Sequence, residues 1–242
     1  MCGLSIGLRA KCIVDLWGCD FYNWPGMKIE TIGILISLHP FNERDCVARI
    51  MTPDFGVLVG MMRGTLVAKK NRPMIGQYGN VSWGARLDSQ LGVFHWEAEK
   101  NLGASIMMNP KTLMCMNAAF EILQNLLPER EAYPILYSET QALLNKLGQG
   151  DTAAYLDWEI ILLRELGYAL DLSCCAGCGA VNGLKYVSPR TGRAVCGTCG
   201  APFADKLYKM PIDLMVTGRF LESICVAQGV QMPPMRKMLK ID

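Results

Sequence analysis

The chain has 242 residues, 51% of them hydrophobic and 19% charged, with a net charge of +2. That length suits one or two domains and that apolar content suffices for a packed core, while so mild a charge excludes an argument for a nucleic-acid partner from net charge alone. Eleven cysteines, an odd number scattered through apolar runs such as DCVARIM, TLMCMNAAF and ESICVAQG, argue against a secreted disulfide framework and for buried thiols in a reducing cytosol.

Residues 1–26, MCGLSIGLRAKCIVDLWGCDFYNWPG, carry Arg9 and Lys11, but Asp15 and Asp20 break what would be the apolar segment of a signal peptide. The stretch has no clear period. Met27 stands where strand patterning begins, so the expectation is a start at Met27 or a loose extension over 1–26. No apolar run in the chain approaches the roughly 20 residues of a membrane span.

Residues 27–100 read as short strands separated by turn signals. KIETIGILISL alternates and then becomes continuously apolar; CVARIMT, VLVGMMRG, NVSWGARL and GVFHWEAEK follow. LVAKKNRPMIGQYG, with Pro73 and two glycines, reads as a loop. Five antiparallel strands in this length fit a small closed barrel, of which the OB-fold is the commonest five-stranded form; a sandwich is the alternative.

At Asn101 the period changes. TLMCMNAAFEILQNLL repeats apolar residues at helical spacing and is closed by Pro128. YPILYSETQALLNKLG continues helically to Gly148, and Asp151 is placed to cap the helix in DTAAYLDWEIILLRELGYAL. That helix is apolar on two faces, which predicts burial between other helices. A last helix is expected over about Ile212–Gln228, followed by a short basic tail, PPMRKMLKID.

Between these helices lies CAGCGAVNGLKYVSPRTGRAVCGTCG, two Cys-x-x-Cys knuckles with 17 residues between Cys178 and Cys196. Two thiolates three positions apart on a tight turn reach one ion, and paired knuckles at this spacing are a zinc signature. The expected ligands are Cys175, Cys178, Cys196 and Cys199, with Gly179 and Gly200 letting the chain reverse. Cys174 is an alternative ligand, and a disulfide or unmetallated thiols are the alternative chemistries. Four thiolates leave no open position, so the site should be structural. YVSPRTGRAV reads as a hairpin whose tip exposes Arg190 and Arg193.

No catalytic constellation is visible. The chain lacks a P-loop, G-x-G-x-x-G after a strand, H-E-x-x-H and G-x-S-x-G. His39 and His95 read as structural, and Glu97 and Glu99 as a solvated strand face. Charge placement says more. No acidic residue lies between Asp54 and Asp88, whereas Arg63, Lys69, Lys70, Arg72 and Arg86 all do. A basic loop on a small barrel, with Tyr78 and Trp83 near it, suits phosphates and stacked bases; a solvated basic face, with Trp83 in the core, is the plainer alternative.

Four stretches in order, GILISLHPFNERDCVARIMTPDFGVLVGMMRG, GNVSWGARLDSQLGVFHWE, WEIILLRELGYALDLSCCAGCG and YVSPRTGRAV with the second knuckle, resemble the RecO family of bacterial DNA repair proteins from Met27 to the end. The resemblance implies an α+β multidomain chain: an extension over 1–26, an OB-fold nucleic-acid-binding domain over 27–100, a helical domain over 101–173, a four-cysteine zinc insertion over 174–205, and a helical segment over 206–242. It implies no enzyme but a recombination mediator of the bacterial cytoplasm and nucleoid. Such proteins bind single- and double-stranded DNA, anneal strands coated by single-strand binding protein, and with RecR assist RecA loading. Arg44, after the FNE turn, is then a DNA contact alongside the basic loop, and Arg130 a partner for the acidic tail of single-strand binding protein. An RNA-binding zinc-ribbon protein and a structural adaptor without nucleic-acid affinity are the competing functions.

Overall fold

The structure is a computed structural model describing residues 27–86, 91–168 and 170–239; the expected extension over 1–26 lies outside the described residues. Five strands, β1 (Met27–Pro40), β2 (Cys46–Thr52), β3 (Gly56–Met62), β4 (Gln77–Ala85) and β5 (Gly92–Asn101), close a barrel in the order β1-β2-β3-β5-β4. All pairs are antiparallel except β3 with β5, joined in parallel at Gly60↔Gly92 and Met61↔Val93. This is the OB-fold arrangement.

Period-2 alternation explains the barrel interior. Ile29, Leu35, Ala48, Ile50, Leu58, Val81, Trp83 and Phe94 point inward and form one cluster. Ile34 and Ile36, the neighbours of Leu35, point outward, and with Met51 and Val57 they join the core of the helical region. β1 is therefore buried on both faces along its middle. That is why its sequence stops alternating and becomes continuously apolar.

One boundary differs from the expectation. Gln77, Tyr78 and Gly79, read as loop because of the glycines, belong to β4. Gly79 sits at a bulge against β5, where an added Cβ would lie 2.2 Å from the Glu97 carbonyl oxygen. Here glycine permits a close strand approach and does not mark a turn.

The helices pack on the barrel's outer side. After a one-turn α1 (Gly103–Ile106), α2 (Pro110–Leu126) starts at Asn109, whose side chain accepts the Lys111 N–H at 2.9 Å. Pro110 at its first turn needs no intrahelical donor. α3 (Pro134–Gly148) and α4 (Ala154–Glu165) follow, and Asp151 Oδ1 accepts the Ala153 and Ala154 N–H groups at 3.0 and 3.3 Å. Gln124 reaches back to the Ile36 carbonyl at 3.0 Å, and the Arg130 N–H donates to the Val57 carbonyl at 3.1 Å. Barrel and helices thus share both an apolar core and hydrogen bonds to the strand backbone.

The Cys-rich stretch forms a three-stranded sheet, β6 (Leu184–Val187), β7 (Ala194–Cys196) and β8 (Tyr208–Lys209), ordered β7-β6-β8, with a one-turn α5 (Gly197–Gly200) at the second knuckle. α6 (Leu214–Gln228) begins after Asp213, whose side chain accepts the Val216 N–H at 2.9 Å, and ends at Gly229. The basic tail is not a loose end: it forms α7 (Pro234–Met238) and buries Arg236 beside Glu159 of α4. Among the described residues no helix is long and apolar enough to cross a membrane.

Candidate metal centre and nucleic-acid interface

The Sγ atoms of Cys175, Cys178, Cys196 and Cys199 all lie within 4.8 Å of one another. Cys178 and Cys196 are 3.7 Å apart, far beyond an S–S bond of about 2.05 Å. The edge of a tetrahedron with zinc–sulfur bonds of about 2.3 Å is about 3.8 Å. The cluster fits a metal ion and does not fit a disulfide. The described cysteines are all free thiols, and Cys174 stays outside the group of four.

The knuckles present backbone N–H groups to the sulfurs. Cys196 and Gly177 donate to Cys175 Sγ at 3.3 and 3.4 Å, and Cys199 donates to Cys196 Sγ at 3.4 Å. Hydrogen bonds from the backbone of Cys196 and Cys178 lower the Cys175 thiol to about 6. Cys199, hydrogen-bonded by the sulfurs of Cys196, Cys178 and Cys175, is pushed up to about 12. One thiolate is stabilised by the fold; four together require a cation.

The two expected reversal glycines have different jobs. Gly179 turns the chain with φ +73°. Gly200 has an ordinary right-handed backbone, φ −85°, and is needed because a Cβ would lie 2.4 Å from the Tyr186 ring. Both hairpin arginines are exposed, and Arg193 also pairs with Asp171 at 3.4 Å.

On the barrel, the turn 41–45 and the loop after β3 are tied together. Leu66 N–H donates to the Arg44 carbonyl at 3.0 Å, and Gly64 N–H donates to Asp45 Oδ1 at 2.8 Å. This brings Arg44 and Arg63 around Asp45, with Arg72 close enough to Cys46 to act on its thiol. Lys69 and Lys70 lie on the same loop, which reverses at Asn71 with φ +53°. All five cations are exposed. Arg86 is exposed but stands apart. Met61, Val93 and Gly84 align across β3, β5 and β4, and because β4 runs opposite to β3, Arg86 leaves the sheet in the direction opposite to Arg63.

Asp45 is the clamp of this edge. Its carboxyl is held below its usual value of 3.8 by the Asn42 side chain and the Gly64 N–H, aided by the charges of Arg63 and Arg44, while slight burial works the other way. Because the folded value lies below the unfolded one, the stabilisation is complete above about pH 4 and is lost as pH falls through the lowered value. The protection of the Gly64 amide against hydrogen exchange should hold from neutrality to about pH 4 and then fall relative to a ladder amide such as that of Val81. A flat ratio down to the acid limit would refute the clamp.

The aromatic residues expected beside the basic loop do not serve as base platforms. Trp83 is 1% exposed, lies inside the barrel and donates its indole N–H to the Val59 carbonyl at 2.9 Å. Tyr78 is half-buried against the shared core. The aromatic that sequence reasoning passed over is Phe41, 61% exposed on the turn that carries Arg44. Arg130 is exposed in the segment between α2 and α3, and its guanidinium is 4.7 Å from the centroid of the Trp83 ring, at the seam between barrel and helices. His39 and His95 are both exposed on strands, and Glu99 accepts a hydrogen bond from Asn80 at 2.8 Å.

The profile of the family described as "Recombination protein O C terminal" matches residues 107–228, which span α2 to α6 and the four-cysteine module. A DNA repair protein RecO from a Ruegeria species is 36% identical over 210 residues, 79% of this chain and 87% of its own length. The chain belongs to the RecO family. The RecO of Granulibacter bethesdensis is 39% identical over 188 residues, covering 75% of this chain and 74% of its own, and that of Dinoroseobacter shibae 34% over 229 residues, covering 87% and 95%. The RecO relatives therefore extend into the barrel as well as the profiled region.

Proposed function

We propose that this RecO-family chain acts in DNA repair and recombination as a mediator that binds single- and double-stranded DNA and anneals complementary strands, including strands coated by single-strand binding protein. The observation that carries the reading is the gathering of Arg44, Arg63, Lys69, Lys70 and Arg72 at one edge of an OB barrel. Annealing opposes the repulsion of two phosphate backbones, and a dense basic edge screens it. The charge is polarised: Glu30, Asp54 and Glu97 line a shallow cleft of about 560 Å³ elsewhere on the barrel, which disfavours phosphates there. Strand pairing releases roughly 1.4 kcal/mol per stacked step, so the work needs no nucleotide hydrolysis and no enzyme chemistry.

In this reading residues 27–100 hold DNA, 101–173 and 206–242 form the helical body, and 174–205 form a metal-pinned insertion. The four cysteines hold Zn(II), which would lock two knuckles and the hairpin between them; the ion supplies shape, since four thiolates fill its coordination sphere. Arg130 faces the acidic tail of single-strand binding protein, RecR is the partner for RecA loading, and the site of action is the bacterial nucleoid.

Replacing Lys69, Lys70 and Arg72 together by alanine is expected to slow strand annealing and weaken oligonucleotide binding. At about 0.7 counterions per phosphate on single strands, the log–log salt slope should become shallower by about 2. Binding isotherms across a salt series measure this. An unchanged slope would place the phosphate track elsewhere.

A further inference from the structure

We propose that Phe41 is the base-stacking platform of the barrel's basic edge, and that it makes this edge selective for unpaired strands; the inference rests on the DNA-binding reading above. Phe41 is 61% exposed, although a phenyl ring in water is unfavourable and nothing in a tight turn demands one. The turn that presents it is held rigid. Phe41 N–H donates to the Asp45 carbonyl at 2.9 Å, Arg44 and Asp45 N–H both donate to Asn42 Oδ1 at 2.8 Å, and Asn42 Nδ2 donates to Asp45 Oδ2 at 2.9 Å.

The same turn carries Arg44, whose carbonyl anchors the loop bearing Arg63, Lys69, Lys70 and Arg72. A flat apolar surface is therefore carried on the same turn as Arg44 and tied to the cation-bearing loop, the pairing of groups that a nucleotide with an unstacked base satisfies. Among the described residues the other exposed aromatics lie elsewhere: Phe55 on the β2–β3 turn, and Tyr168 and Phe203 beyond the barrel. Trp83 and Tyr78 are committed to cores. In a duplex, base faces are already stacked on one another, so the ring gains nothing there, whereas cations serve both forms alike. Because the turn is preorganised, binding orders little that is not already ordered.

The test is Phe41→Ala in the full chain, with Phe41→Tyr as the variant that keeps the ring. Anisotropy with a labelled oligothymidylate should show affinity falling about 5- to 150-fold for Phe41→Ala, with the salt slope unchanged because no charge is lost. Duplex affinity should move by no more than about twofold, and Phe41→Tyr should bind like the wild type. A 2-aminopurine in the strand should report stacking by a fluorescence change that Phe41→Ala abolishes. Single-strand affinity left intact, or an equal loss on single strand and duplex, overturns the inference while leaving the DNA reading in place. A wild-type chain that binds neither nucleic acid sinks both.

Discussion

Glu159→Ala is expected to lower the unfolding free energy by about 3–5 kcal/mol, because it leaves a buried guanidinium without its counter-charge. Glu159 is 0% exposed and Arg236 5%. Arg236 Nε and Nη2 donate to the two Glu159 oxygens at 2.5 and 2.6 Å, and Nη2 also donates to the Leu214 carbonyl at 2.6 Å and to Thr217 Oγ1 at 3.4 Å. Burial works against the Arg236 charge, but the hydrogen bond and charge of Glu159 more than offset it and raise its pKa. The pair joins α4, α6 and α7, so its loss should also free the C-terminal helix. Against a total stability of about 5–15 kcal/mol, this is the most damaging single substitution of a charged residue expected in the helical body. Urea titration monitored by far-UV circular dichroism measures it. A loss below about 1 kcal/mol would show that the charges are not desolvated together. The double variant Glu159→Leu with Arg236→Met should recover most of the loss, because it removes both charges and keeps the volume filled.

Cys178→Ser together with Cys199→Ser is expected to reduce bound metal from about one ion per chain to near zero and to unfold the knuckles locally. In isolated zinc-finger peptides such an ion is worth roughly 10–16 kcal/mol. Here the collapse should stop at the module, since Val187 belongs to the core shared with the helices and β6 is paired on both sides. Elemental analysis gives the stoichiometry. Hydrogen exchange should show lost protection in the two knuckles, over 174–180 and 196–200, and intact protection in β1 and α2. Metal retained at full stoichiometry after both substitutions would overturn the four-thiolate assignment, and loss of protection throughout the chain would overturn its local role.

Much of the architecture was legible because its signals are short in range. Five strands, the helices α2, α3, α4 and α6 and the paired knuckles each announce themselves within a few residues, through a period, a capping side chain or a fixed Cys spacing. Asp151 could be named as a cap from its place before an apolar helix, and the two Asp151 hydrogen bonds bear that out. The exclusion of a sandwich took more: only the parallel pairing of β3 with β5 closes the sheet. The aromatic partner of the basic loop stayed open between a core and a surface role for a definite reason. Trp83 and Phe41 both lie near cations in sequence, and nothing local tells an inward strand position from a turn tip that a clamp holds in water.

Local pattern was enough for the elements, the four clustered cysteines and the band of positive charge, because backbone geometry and covalent spacing decide which neighbours within a turn or knuckle can meet. Packing between distant segments was needed to show that β1 is buried on both faces, that Arg130 rests on the Trp83 ring, and that the basic tail folds inward. Glu159 and Arg236 are 77 positions apart, and each alone reads as a solvated charge. Whether a charge lies in water or in a core depends on which remote surface closes over it, and no local pattern carries that information.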